Sequence, residues 1–508
     1  MARMQSQAQP ATEDGVVFPL AGGTRSTSAA GRAVVADAVR TVAPDLADRV
    51  LDVRDWRRGY LAPFREMTRL ELVRPGAAGS IAAEGLAAVH RCFRVRRGGE
   101  DLPLEAAVVP GDEPVPITVT VEGRGRAGPD VLSVPYRGGR LVADDLDRQL
   151  DRWLAAGTAE PSFADAVRAV MAHPGWLDLT DVTVVVLGAG AQMGPLVSLL
   201  RWGAHVVAVD LPEPRIWSRL LEVARSSPGR LSVPVARPLA ASAPDREIAA
   251  AAGVDLVRRT PQVLAWLLGV QGPFVLGSYV YADGAAHVLA SVAVDALTRA
   301  LLTVRPDVSL AFLATPTDAF AVPAEVVEDS RRRYGARPVA TRAARIGTAG
   351  RLFRPNYARP ERLPDGSLGG ISDSLVPQQG PNYALAKRIQ RWRALQARAD
   401  GRLVSLNVAP ATRTRSVLRN RVLAAAYAGA HRFGIEVFDP STSNTLMAAL
   451  LVHDLRHPGA AAHPATALAH PLELFWQGAN HGGLWRNAYE PRSVLGLAVA
   501  LGMVQRGA

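Results

Sequence analysis

Tyr383 and Lys387, four residues apart, carry the sharpest chemical signal in this chain. On a helix that spacing puts both side chains on one face, one turn apart. A phenol beside an ammonium is an acid–base pair. The cation favours the phenolate, so the tyrosine can exchange a proton near neutral pH. Composition singles out the lysine as well. The 508-residue chain has 58 basic residues, and Lys387 is the only lysine among them. Lysine is ordinarily abundant, so the Arg-, Ala- and Pro-rich composition points to a bias that replaces it wherever arginine serves. A compact ammonium has a reach and donor geometry that a planar guanidinium lacks. Position 387 reads as one where arginine does not serve. The plain alternative is a surface Tyr and Lys on an amphipathic helix.

A second constellation precedes it. The run Val182–Leu187 leads into Gly188-Ala189-Gly190-Ala191-Gln192-Met193-Gly194. Glycines let a backbone approach a pyrophosphate closely, and a following helix offers free N–H groups at its positive end. Asp210 closes the next apolar run, 22 residues after Gly188. From there a carboxylate binds the adenosine ribose hydroxyls and repels a 2′-phosphate, which favours NAD over NADP. Arg215 is the nearest downstream base and pulls the other way. The spacing G-x-G-x-x-x-G is one residue longer than the usual dinucleotide fingerprint. The alternative is a glycine turn that holds no nucleotide.

These residues need a frame. Short Val- and Leu-rich runs at 182–187, 205–209, 231–235, 274–276, 309–313 and 403–408 read as buried strands. Helical stretches start at Met193 and cover Ala285–Leu302 and Tyr383–Ala399. Strand and helix in alternation predict α/β architecture, a doubly wound parallel sheet with crossover helices. Residues 317–379, rich in Pro, Gly and Arg, read as an insertion between the fifth strand and the next helix. Residues 1–15 are polar and read as disordered. Residues 16–176 mix a helical stretch (Ala33–Val50), a strand (Pro116–Glu122) and an amphipathic helix (Ala143–Ala155). They predict a smaller N-terminal α+β domain ahead of a catalytic domain over 177–508. The segment from about 456 to 508 is placed on the substrate side.

The motif Pro381-Asn382-Tyr383-Ala384-Leu385-Ala386-Lys387 resembles the catalytic Y-x-x-x-K of the short-chain dehydrogenase/reductase family. It opens the helix between the fifth and sixth strands, as it does there. The sixth strand runs into Asn407–Thr414, which resembles the family's Pro-Gly loop and the Thr beside the nicotinamide. The resemblance covers about residues 180–455 and marks a divergent member with a long N-terminal extension. It implies a Rossmann-type fold and NAD or NADP as cofactor. It implies cofactor contacts at Gly188, Gly190, Gln192, Met193, Gly194, Asp210, Lys387, Pro410 and Thr412. Gly277 is the best position after the fourth strand for lining the adenine site. In the family a Ser near the end of the fifth strand polarises the substrate carbonyl. Thr315 is the first candidate here, with Ser372 and Ser374 as alternatives. The family's Asn in the preceding helix has no match between Ala285 and Leu302.

Bulk composition excludes other classes. Apolar residues make up 48% and charged residues 21%, which rules out a wholly disordered chain. The net charge is +11, yet the longest basic run is Arg331-Arg332-Arg333, so scattered surface arginines are expected rather than a nucleic-acid partner. Cys92 is the only cysteine, which excludes an internal disulfide and fits a reducing cytoplasm. The most apolar stretch, Val182–Leu200, is broken by glycines, Gln192 and Pro195 and makes a poor membrane span. No metal is expected, because the histidines of the tail lack ligand spacing. Phe475, Trp476, His481, Trp485 and Tyr489 form either an apolar substrate wall or a core patch. The expected function is an NAD(P)-dependent oxidoreductase acting on a small-molecule carbonyl or alcohol, with Tyr383, Lys387 and Thr315 as catalytic residues. A homo-oligomer is compatible with this. Two rivals are a nucleotide-dependent epimerase or dehydratase without net redox, and a non-catalytic NAD(P)-binding sensor or scaffold.

Overall fold

The computed structural model describes residues 13–111, 113–126 and 131–507. Residues 1–12 of the segment expected to be disordered lie outside this range. Gly15, its last residue, opens the strand Gly15–Val17, which pairs with Arg94–Arg97.

One seven-stranded sheet organises the protein. In chain order its strands are β1 (Ile117–Glu122), β2 (Thr183–Leu187), β3 (His205–Val209), β4 (Arg230–Val235), β5 (Phe274–Ser278), β6 (Val308–Ala314) and β7 (Val404–Val408). Across the sheet they lie β7-β6-β5-β2-β3-β4-β1. All pairs are parallel except β1, which joins β4 antiparallel at the edge. The chain winds outward from β2 through β3 to β4. It then returns to β5 on the other side of β2 and winds outward again to β7. The reversal of winding falls between the carboxyl ends of β2 and β5, the point at which open sheets of this kind hold ligands.

Both faces of the parallel part of the sheet are covered, so β2, β3 and β5 are largely apolar runs, while the antiparallel edge strand β1 alternates. Val185 and Leu187 face one core, Val184 and Val186 the other. The first core holds α1 (Ala77–Cys92), α4 (Ala285–Val304) and α5 (Pro381–Ala399). The second holds α2 (Pro161–Ala172), α3 (Leu196–Arg201) and α6 (Pro440–Arg456). Among the described residues α4 alone is long and apolar enough to cross a membrane, and it is largely buried in the first core.

Residues 16–176 are built into the same body. They supply β1 to the sheet, helices Thr27–Arg40, Leu61–Val73 and α1 to the first core, and Asp144–Ala156 with α2 to the second. Charged side chains fasten the first of these groups. Arg388 of α5 pairs with Glu71 at 3.0 Å and donates to Thr68 at 3.0 Å. Asp295 of α4 receives His90 of α1 at 2.9 Å and Arg393 of α5 at 2.7 Å. Burying such charges is costly unless they are paired, and removing one partner strands the other.

Several boundaries differ from the sequence reading for local reasons. The stretch Ala33–Val50 is two helices, Thr27–Arg40 and Pro44–Leu51, because Pro44 has no N–H to continue the first and suits the opening turn of the second. The helix expected from Met193 starts at Leu196, after a turn that ends at Pro195. The insertion 317–379 contains a three-stranded antiparallel sheet, Ala319–Pro323, Leu368–Asp373 and Glu361–Arg362, with helices Ala324–Gly335 and Val339–Gly347 between.

Where α1 crosses α5, Gly85 lies against Trp392. A β-carbon at position 85 would come within 2.6 Å of the buried indole ring. Gly85→Ala should therefore lower the stability of the whole protein by about 1–3 kcal/mol, the usual cost of overpacking. Urea unfolding followed by tryptophan fluorescence measures this.

Candidate functional site

The glycine turn stands at this reversal point. Gly188 has φ +83°, and a β-carbon there would lie 2.9 Å from the Tyr279 carbonyl and the Val280 Cα, so both conformation and space demand glycine. At Gly190 a β-carbon would meet Ile216 at 2.9 Å and Asp210 at 3.1 Å. Gly194 has no such close contact; its nearest neighbour would be 3.4 Å away. Asp210 accepts from the Gly190 N–H at 2.6 Å and from the Leu211 N–H at 2.8 Å. Burial raises its carboxyl above the ordinary value, against the pull of those two N–H groups. Arg215 turns away to Glu213 at 3.6 Å. Arg219 instead donates to the Gly190 carbonyl at 2.8 Å.

Most amides of the turn are already used. Those of Gly188 and Ala189 donate to Val209, that of Ala191 to Gly188, and that of Gly194 to Ala191. The amides of Gln192 and Met193 have no acceptor among the described residues, and both residues are partly exposed. They are what the turn offers an anion. The Gln192 side chain accepts from the Arg415 N–H at 2.7 Å, which brings the loop after β7 over the turn.

Tyr383 and Thr315 meet on the same edge of the sheet. Tyr383 sits in the first turn of α5, and Thr315 follows the last residue of β6. Burial pushes the Tyr383 phenol above its ordinary value, and the nearby Thr315 hydroxyl pulls it back in part. The Thr315 hydroxyl also lies 2.9 Å from that of Thr317, which receives Gln379 at 2.8 Å. The expected lowering of the tyrosine by Lys387 is not what this arrangement produces. The Lys387 ammonium turns toward the sheet, donating to the Leu313 carbonyl at 3.3 Å and to Gln390 at 3.2 Å. Removal from water brings Lys387 down to about 8, opposed by the charge of Asp318.

The remaining expected residues scatter. Gly277 lies within β5, and the Tyr279 ring fills the space a β-carbon would need, at 2.4 Å. Its lack of a side chain serves that ring. The Thr412 hydroxyl donates to the Pro410 carbonyl at 2.8 Å and lies 2.6 Å from the Ser443 hydroxyl, so it ties the loop after β7 to α6. Ser372 stands beside Tyr357 in the small sheet, and Ser374 follows that sheet. Phe475, His481 and Trp485 are core residues: Phe320 packs on Phe475 and Trp485, and His481 stacks on Trp485 at 4.8 Å. Tyr489 meets Tyr334 and Phe353 of the insertion.

Sequence reasoning missed His287 and Tyr281. The His287 ring lies 5.5 Å from that of Tyr383 and 5.3 Å from that of Tyr281. Burial first, then the charge of Lys387, takes it down to about 3, so it is a neutral imidazole. A lone histidine in an apolar helix gave no signal. Asp318, which holds Arg391 at 3.0 Å and influences Lys387, lay in a segment read as an insertion.

The Lys387 environment has a pH signature. Folded, its ammonium gives up the proton near pH 8; unfolded, near 10.4. Between those values the unfolded chain binds more protons, so stability rises with pH, by at most about 1.4 kcal/mol per pH unit. Urea unfolding at pH 8 and at about pH 10 should show this gain in the wild type and its loss in Lys387→Met. Comparison of the chain with protein-family models, curated proteins and solved structures returned no match, so geometry alone supports the functional reading.

Proposed function

We propose that the protein is an NAD(P)-dependent oxidoreductase of Rossmann type, related in plan to the short-chain dehydrogenases/reductases, acting on a carbonyl or alcohol carbon of a small organic substrate. The observation that carries this is the shared location of three features. The glycine turn after β2, Thr315 after β6 and Tyr383 at the start of α5 all lie at the carboxyl edge of a sheet whose winding reverses between β2 and β5. From β2 onward the strand order corresponds to the dinucleotide-binding order 3-2-1-4-5-6.

The roles follow from the chemistry of each group. Bound nicotinamide would supply or take the hydride. The Gln192 and Met193 amides would hold pyrophosphate oxygens, and Asp210 the adenosine ribose hydroxyls. That carboxylate favours NAD over NADP by repelling a 2′-phosphate. Tyr383, kept protonated by burial, would donate its proton to the carbonyl oxygen as the alcohol forms, and Thr315 would orient that oxygen. Lys387 would reach a nicotinamide ribose hydroxyl by giving up its contacts with Leu313 and Gln390. Burial pushes the Cys92 thiol up to about 11, which keeps it protonated at neutral pH.

A non-catalytic NAD(P)-binding scaffold is the second reading. It is favoured by the turning of Lys387 toward Leu313 and Gln390 and by the desolvation of Tyr383.

NADH should raise the melting temperature more than NADPH does. In NADH-dependent reduction of a panel of small ketones and aldehydes, Tyr383→Phe should lower kcat about 100-fold or more. Lys387→Arg should also cripple turnover although it keeps the charge. Stabilisation by NADH with no turnover by any variant leaves the scaffold reading. Failure of both nucleotides to stabilise the protein removes the shared premise.

A further inference from the structure

The last strand of the sheet has a gap along its outer edge. At one end the Val404 N–H donates to the Ala462 carbonyl at 3.0 Å; at the other the Asn480 N–H donates to the Val408 carbonyl at 3.0 Å. Alternation along a parallel strand turns the N–H and C=O of Leu406 outward between these two contacts. A cavity of about 250 Å³ opens there. At about 30 Å³ per liquid water, that is room for about eight waters, or one small molecule. It lies between α2 and α6, far along the sheet from the reversal point at β2 and β5, and its argument does not depend on the nucleotide reading.

The lining has an unusual charge for this protein. The chain carries a net +11, yet no arginine or lysine lines the cavity, while Asp165 and Asp454 both do. Asn407 adds an unmatched acceptor. It is only 4% exposed. Its Nδ2 donates to the Ser405 hydroxyl at 3.1 Å and to Asp454 at 3.0 Å, whereas its Oδ1 receives no donor among the described residues. Gly478 covers that oxygen with φ +70°, and a β-carbon there would come within 3.2 Å of it. Asp165, exposed at the mouth of the cavity, makes no side-chain contact among the described residues. The carboxylates and Asn407 Oδ1 only accept, and the other polar side chains of the lining, Ser162, Gln477, His453 and His457, can accept as well as donate, all set among Leu450, Leu474 and several alanines. The complement is a group with several donors, no acceptor and a positive charge on a short apolar body. An aliphatic ammonium has those properties.

We propose that this cavity binds a small primary amine in its ammonium form, the head at Asn407 Oδ1 with Asp454 and Asp165, and the alkyl body against Leu450 and Leu474. Calorimetric titration of the whole protein tests this with putrescine and ethanolamine as probes, and butanediol as an uncharged control. Both amines should bind saturably, one per chain, and butanediol should not. Asp165→Asn, at a side chain that makes no contact holding the fold, should weaken amine binding about two- to fivefold, as expected for a partly exposed ion pair, without changing the melting temperature. Ala169→Phe should fill the cavity and abolish binding. Absence of saturable heat with either amine, equal binding of butanediol, or binding untouched by both variants would each overturn the proposal.

Discussion

The three buried arginines of α5 are the interaction on which the rest of the structure depends. Twelve of the nineteen residues of this helix are buried, and Arg388, Arg391 and Arg393 are among them. Each is held by a carboxylate from a different part of the chain: Glu71 from the N-terminal helices, Asp318 from the loop after β6, and Asp295 from α4. Charges that deep persist only when paired, and each pairing fixes two segments at once. The helix that bears Tyr383 and Lys387 is therefore located by salt bridges as well as by packing. The planar fork of arginine suits this work, since it can serve several acceptors in fixed directions. Arg388 reaches both Glu71 and Thr68, and Arg391 reaches both Asp318 and the Ala319 carbonyl.

The same burial sets the protonation of the site. The start of α5 is partly withdrawn from water, so neutral forms are favoured: the phenol of Tyr383 is raised, His287 is uncharged, and Lys387 is brought down to about 8. Proximity to a cation was expected to make the tyrosine more acidic. Instead desolvation outweighs it, because the ammonium is engaged with Leu313 and Gln390. In this state Tyr383 holds its proton at neutral pH.

Much of the sheet was legible in the sequence because both of its faces are covered. A parallel strand then reads as a continuous apolar run, and β3 at His205–Val209 has the bounds its Val-rich run gives it. The alternating run at 117–122 was legible as a strand, but not its partner: nothing local tells that Ile117–Glu122 pairs with Arg230–Val235. Likewise nothing local tells that Glu71 pairs with Arg388 of α5, or His90 with Asp295 of α4. At the site, the glycines at 188 and 190 and the acid at 210 were readable because backbone geometry requires them. Gly277 was read as a ligand contact, whereas its neighbour two residues on, Tyr279, occupies the space. The function of a glycine depends on what fills the gap, and that is a tertiary fact.

The central claim is that a dinucleotide lies across the reversal point of the sheet. A crystal structure of the protein grown with NADH tests it most directly. The account predicts pyrophosphate oxygens at the Gln192 and Met193 amides, adenosine ribose hydroxyls at Asp210, and the nicotinamide toward Tyr383 and Thr315. A nucleotide found elsewhere on the protein, or none found at saturating NADH, would contradict it.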